Sequence, residues 1–216
     1  MKYFVIAIPG HVKSQASADR CIESGRTYGI EIQKFDAITP DTHDVESIFK
    51  QQGIPTKNFT SYYSRRENVL ACFMSHYTLW KSCVNHNEPY VIFEHEAIIN
   101  APLPQTLPMF VGSIGKPSYG KFSTPSELGW GPLTSKPHFP GAHAYIVTQA
   151  GAHVLCETAK TYATTPDVFL SKQRFEWLQE YYPWCAYADD SYSTVQKVQG
   201  CLAKHNFNSD FEYLEQ

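Results

Sequence analysis

The chain has 216 residues, 43% of them hydrophobic, and a net charge of −3 at neutral pH. That length and apolar content allow one sizeable core and exclude a disordered chain, while the charge argues against a broad nucleic-acid face, which needs clustered Lys and Arg. No apolar run approaches the roughly 18 residues of a membrane span, and Lys2-Tyr3-Phe4-Val5-Ile6-Ala7-Ile8 is too short and too β-like for a signal peptide, so a soluble, cytoplasmic protein is expected. The six cysteines show no close paired spacing of the zinc or redox kind and are expected as buried thiols.

Residues 3 to 8 read as a first strand, closed by the turn Pro9-Gly10. A helix is predicted from Ser14 to Tyr28, with Ala18, Cys21 and Ile22 as its apolar stripe and Gly29 as its stop. The alternation in Glu31-Ile32-Gln33-Lys34-Phe35 gives a second strand, completing the strand, helix, strand unit that opens nucleotide-binding α/β folds. Residues 53 to 64 are polar and turn-rich. They precede the strongest helix in the chain, Arg66 to His86, whose wide apolar face packs on a sheet and whose length, about 30 Å at about 1.5 Å per residue, crosses a small domain.

Beyond Asn85-His86-Asn87-Glu88-Pro89, residues 90 to 93 form a buried strand that runs into Glu94-His95-Glu96. A strand sends residues i and i+2 to one side, so Glu94 and Glu96 can converge on a cation while His95 points away. The end of such a strand is where open α/β sheets bind ligands. Residues 101 to 140 hold eight of the 14 prolines and read as an irregular, substrate-facing loop carrying Tyr119, Phe122, Trp130 and Phe139. Residues 142 to 148 are a further strand, Gln149 to Tyr162 an amphipathic helix, and Pro166 opens a shorter one. Trp184 to Ala188 reads as a last strand before Asp189 and Asp190. Adjacent strand residues face opposite ways, which makes that acidic pair a poorer chelate than Glu94 and Glu96.

The helix segment Cys72-Phe73-Met74-Ser75-His76-Tyr77-Thr78-Leu79-Trp80, followed by the apolar strand and Glu94-His95-Glu96, resembles glycosyltransferase family 25, which includes lipopolysaccharide and collagen galactosyltransferases. Its members share a Cys-x-x-Ser-His-x-x-x-Trp-like helix and a strand ending in Glu-Asp-Asp. Gly141-Ala142-His143-Ala144-Tyr145-Ile146-Val147 with Gly151-Ala152 is similar to the family's Gly-Thr-His-Ala-Tyr strand and next helix, Pro166-Asp167 to its Pro-Val-Asp segment, and Ser193-Thr194-Val195 to a C-terminal signature. The resemblance runs over roughly residues 3 to 200. It implies a single Rossmann-like GT-A domain spanning 1–216 with a mixed, mostly parallel sheet. It also implies transfer of a sugar, with galactose indicated, from a nucleotide-diphosphate donor such as a UDP-sugar to an acceptor hydroxyl, with inversion and with Mn²⁺ or Mg²⁺ as cofactor. The chain departs from the family in having His95 for the middle acid and the longer Glu96 for the last one.

Sugar transfer needs charge stabilisation on the leaving diphosphate and a base for the acceptor hydroxyl. Glu96 is assigned as the leading metal ligand and Glu94 as a ligand or orienting group. His95 is a donor contact if it faces the site and a packing residue if it does not. Among basic residues near the first strand's end, Arg20 is favoured over Lys13 for phosphate, on the resemblance. Arg65 and Arg66 read as solvated or as diphosphate partners. Asp167 is the first choice for the base, against a helix-start role beside Pro166, and His143 the second. Ser75 and His76 are neighbours on a helix, so they cannot form a nucleophile and base pair, and one or both are expected to bond backbone near the strand end. The alternative to an active transferase is a catalytically weakened module that binds a glycan or nucleotide sugar. A metallohydrolase built on Glu94, His95 and Glu96 would draw more histidine than this segment offers.

Overall fold

The structure is a computed structural model that describes residues 1–59, 64–189 and 191–196, and the backbone of 212–213. Strand β1 (Lys2–Ala7) turns at Gly10 (φ +73°) into helix α1 (Val12–Arg26). The helix begins two residues before the expected Ser14 because the His11 imidazole acts as the N-cap, Nδ1 accepting the Ser14 amide at 3.1 Å. It ends at Arg26, two residues short of the expected Tyr28, and the stop at Gly29 holds, with φ +71° and the Ile30 amide reaching back to the Gly25 carbonyl. Strand β2 (Gln33–Asp36) follows, then helix α2 (Val45–Gln52), in a segment where no element was expected. Asp44 caps it, its carboxylate accepting the Ser47 amide.

Helix α3 (Arg66–His86) matches its predicted bounds and stops at Asn87 in the left-handed conformation (φ 52°). Strand β3 (Tyr90–Glu94) ends one residue before His95. A turn at 95 and 96 leads into β4 (Ala97–Ile99). The expected irregular loop 101–140 holds two short strands, β5 (Val111–Ser113) and β6 (Gly129–Pro132). After it come β7 (Ala144–Val147), α4 (Gln149–Ala159), α5 (Pro166–Phe169), β8 (Gln179–Tyr182), β9 (Ala186–Ala188) and β10 (Tyr192–Ser193), which pairs with the backbone of β11 (Glu212–Tyr213).

Seven strands form one mixed sheet in the order β2-β1-β3-β7-β5-β8-β6. β1 pairs in parallel with β2 and β3, and β5 with β8, whereas β7 and β6 run against their neighbours, so five of the seven strands point the same way. Alternation along the strands sorts the core onto two faces. Ile92 and Tyr145 join Phe73, Trp80 and Phe169 on the face covered by α3, α4 and α5. Val91, Phe93 and Ala144 join Ala18 and Cys21 of α1 and the β4–β9 ladder on the other. Helical cover on both faces of a mostly parallel sheet is the Rossmann-like arrangement. Register places Glu94 level with Ile6, at the carboxyl ends of the parallel strands β2, β1 and β3.

Candidate donor and metal site

Because β3 is regular up to Glu94, residues 92 and 94 face α3 while His95 turns towards α1. Glu94 Oε1 lies 3.0 Å from His76 Nε2. On the other side of His76, Nδ1 lies 2.8 Å from Tyr145 Oη, which also accepts the Trp80 indole N–H at 2.8 Å. Burial pulls the His76 pKa down to about 3, so the ring is neutral at physiological pH, with the Asp167 charge opposing the shift.

Glu96 does meet Glu94, but not by strand alternation as the sequence predicts. The turn at 95 and 96 folds it back. Desolvation first, then the Glu94 charge and a hydrogen bond to the Glu94 carboxyl, hold Glu96 well above the usual carboxylate range. Two carboxyl groups this close disfavour carrying two charges at once, and a bound cation relieves that repulsion. The donor set fits a hard divalent ion through two carboxyl groups. Cys72, His76 and Glu94 also bring one sulfur, one nitrogen and one oxygen within 4.8 Å of each other. In that trio the imidazole is committed on both nitrogens, and burial keeps the Cys72 thiol protonated, its pKa pushed well above the ordinary value.

His95 stacks on Tyr192 at 5.6 Å between centroids and 7° between planes, and its Nδ1 lies 3.2 Å from Ser14 Oγ. Its Nε2 is 3.7 Å from Glu96, and burial lowers its pKa to about 4, with His11 and Arg20 adding to the effect. Tyr192 donates to Ser17 Oγ at 2.9 Å, so residues 191–196 run as a strap from α1 to α3. Its far end is held by Asn68 Nδ2 and Arg65 Nη1, both donating to the Thr194 carbonyl, and by the Arg65 amide donating to Val195. Arg20, the sequence's choice for phosphate, pairs with Asp189 at 2.7 Å and bonds Ser17, with half its side chain exposed. Lys13 is exposed. Arg66 pairs with Glu46. Asp190 lies outside the described residues.

These elements line a small, mostly apolar cleft that opens to solvent. Its floor is Ile6 and Ile8, its walls are Ala37 to Thr39 and the Cys72–His76 turn of α3, and Glu94, His95, Thr194 and Val195 close the end. Ser75 bonds backbone as predicted, its hydroxyl accepting the Ile38 amide at 2.9 Å. His76 has side-chain partners instead, so of the two it is Ser75 that meets the expectation. Sequence could have found this, since Cys72, His76 and Trp80 recur every four residues and share one helical face. Tyr145 could not be assigned to that face without the sheet register.

Asp167 opens α5 beside Pro166, in the helix-start position expected as the alternative to a base. Oδ1 accepts the Val168 amide at 2.9 Å, while Oδ2 accepts the Tyr119 hydroxyl at 2.8 Å. Tyr119 Oη also lies 3.1 Å from His138 Nε2, and Lys136 sits 5.2 Å over the Tyr119 ring, so the proline-rich loop reaches Asp167. The Asp167 charge is felt at both Cys72 and His76, which puts it on the Glu94 side of the sheet. His143 is next to Glu94 along the backbone, its carbonyl accepting the Glu94 amide at 2.9 Å. Its ring is 2% exposed, and neither nitrogen makes a hydrogen bond of ordinary geometry among the described residues. Burial draws its pKa down to about 4, which the Pro140 carbonyl only partly opposes. The ring packs against Gly115, where a Cβ would lie 2.3 Å from Nε2. No helix of the described residues is long and apolar enough to cross a membrane.

No curated protein matches the chain closely. A family model described as glycosyltransferase family 25 (LPS biosynthesis protein) matches residues 10–119, which take in α1, α3 and the carboxyl pair, whereas His143, Tyr145 and Asp167 lie beyond the match. With half the chain matched and the acid-bearing strand end inside the match, the protein belongs to glycosyltransferase family 25.

Proposed function

We propose that this glycosyltransferase moves a sugar, with galactose as the expected one, from a UDP-sugar to a hydroxyl of a glycan acceptor, with inversion and with Mn²⁺ or Mg²⁺ bound. The observation that carries this reading is the Glu94–Glu96 carboxyl pair at the open ends of three parallel strands beside an apolar cleft. The cleft floor of Ile6 and Ile8 suits the flat face of a nucleobase. Glu96 and Glu94 would hold the ion, which when bound supplies charge neutralisation for the leaving diphosphate. His95 forms the end wall towards the phosphates, and Arg20 can join them by exchanging its Asp189 partner for a phosphate oxygen.

On the acceptor side, Asp167 takes the proton of the attacking hydroxyl. Its bond from Tyr119 orients the carboxylate and couples it to the proline-rich loop, which forms the acceptor wall. His143 is the second candidate; its ring would have to be uncovered to reach a substrate. A net charge of −3 goes with a glycan rather than a nucleic-acid acceptor, and a cytoplasmic location goes with a nucleotide-sugar donor.

Calorimetry with a panel of nucleotide sugars, with and without manganese, tests the reading. Binding of a UDP-sugar that tightens with manganese, and loss of transfer in Glu96→Ala, are expected. No nucleotide binding under either condition would refute it. A second reading, a weakened module that binds without turning over, rests on the stacking of His95 against Tyr192 in place of an acid. His95→Asp distinguishes the two, because a gain of transfer would favour the weakened module and unchanged or lower transfer the active enzyme.

A further inference from the structure

Three motif residues that lie far apart in sequence form one hydrogen-bonded line ending at Glu94. Trp80 Nε1–H donates to Tyr145 Oη at 2.8 Å, Tyr145 Oη is 2.8 Å from His76 Nδ1, and His76 Nε2 is 3.0 Å from Glu94 Oε1. Trp80, Tyr145 and His76 are all 0% exposed. The direction of each bond follows from the donor inventory. An indole can only donate, and a phenol has a single hydrogen. Among the described residues that hydrogen has one hydrogen-bonded acceptor, His76 Nδ1. An imidazole that accepts at Nδ1 and stays neutral carries its hydrogen on Nε2, aimed at the carboxylate. The opposite tautomer would strand the phenolic hydrogen in a dry interior and point a lone pair at Glu94, and both cost free energy.

We infer that Tyr145 and Trp80 are positioning residues, which fix His76 as the Nε2–H tautomer and through it orient the Glu94 carboxylate. This rests on the reading of Glu94 as a carboxylate of the donor and metal site. It accounts for why a Ser-His-x-x-x-Trp helix and a Gly-x-His-Ala-Tyr strand occur together in this chain. The helix supplies the imidazole and indole four residues apart, and antiparallel pairing of β7 with β3 sets Tyr145 opposite Ile92, one residue pair away from the strand end. Partners that orient a ligating carboxylate are commonly worth roughly 10- to 100-fold in metal affinity.

The test combines a tautomer measurement with a binding measurement. In ¹⁵N-histidine-labelled protein, long-range ¹H–¹⁵N correlation should show His76 protonated at Nε2 and bare at Nδ1. Tyr145→Phe removes the phenolic donor, so His76 should lose its single tautomer and manganese-dependent UDP binding should weaken roughly 10- to 100-fold, with the acceptor KM unmoved. Trp80→Phe keeps a ring against Phe169 and deletes only the indole N–H, so it gives a smaller loss of the same kind and covers the case in which Tyr145→Phe fails to fold. His76→Gln, with an N–H for Glu94 and a carbonyl for Tyr145, should retain more manganese affinity than His76→Leu. A wild-type His76 protonated at Nδ1, or a folded Tyr145→Phe with tautomer and manganese affinity unchanged, would overturn the inference. If wild-type protein binds no nucleotide, the donor reading fails, while the tautomer measurement still decides the wiring.

Discussion

Replacing His143 with leucine tests the buried imidazole directly, because the structure fixes both the sign and the size of the effect. The ring is 2% exposed and its pKa is drawn down to about 4, against about 6.5 in an unfolded chain. Between those values the unfolded chain takes up a proton that the folded chain refuses. The neutral ring's contribution to stability is therefore full above pH 6.5 and is lost as pH falls towards 4. Going from pH 7 to pH 5 should remove about 2 kcal/mol through this one residue, roughly 4–8 °C in Tm for a chain of this size. Urea unfolding and thermal melts of wild type and His143→Leu at both pH values give the answer as a double difference, which cancels the losses from His76 and His95. At pH 7 alone the variant should be close to neutral, since neither ring nitrogen has a hydrogen bond of ordinary geometry to lose among the described residues. Equal losses of stability in the two proteins between pH 7 and pH 5 would refute the assignment of a sealed, neutral ring. Transfer retained in the variant would leave Asp167 as the base.

Glu96→Gln should keep the fold, since an amide of the same size can donate to the Glu94 carboxyl, yet weaken manganese-dependent nucleotide binding at least tenfold by calorimetry. Gly151→Ala adds a methyl that would lie 2.3 Å from the Phe110 carbonyl oxygen, a backbone atom that also accepts from Thr148. Despite the better helix former, it should lose about 1–3 kcal/mol in urea unfolding. Glu180 is 2% exposed and accepts from the Thr134 amide (2.6 Å), the Thr134 hydroxyl (3.0 Å) and the Ser135 amide (2.7 Å). Glu180→Gln should cost about 1–3 kcal/mol and raise the acceptor KM more than the donor KM, because the anchored segment leads into Lys136 and His138.

Much of the scaffold was legible from spacing alone. Arg66 to His86 carries a continuous apolar face with a left-handed stop at Asn87, and the structure keeps both bounds. The short elements were not legible for definite reasons. Helix α2 has eight residues, about two turns, too few for periodicity to stand out, and β5 and β6 are strands of three and four residues held by their neighbours within a proline-rich stretch. At the site, alternation gave the correct directions for Glu94 and His95 but the wrong route for Glu96, since nothing in Glu-His-Glu says where the ladder stops.

By itself the sequence determined the chemistry available: two carboxylates at a strand end, an imidazole between them, and helix and strand motifs that mark the family. Local periodicity suffices for this, because a buried strand or a long amphipathic helix repeats the same requirement at every turn. Only the tertiary structure decided that Glu96 folds back onto Glu94, that His95 lies against Tyr192 and Ser14, and that Trp80, Tyr145 and His76 line up behind Glu94. Those contacts join residues up to 97 positions apart in the chain, as with His95 and Tyr192, and they follow from sheet order and register, which no local pattern encodes.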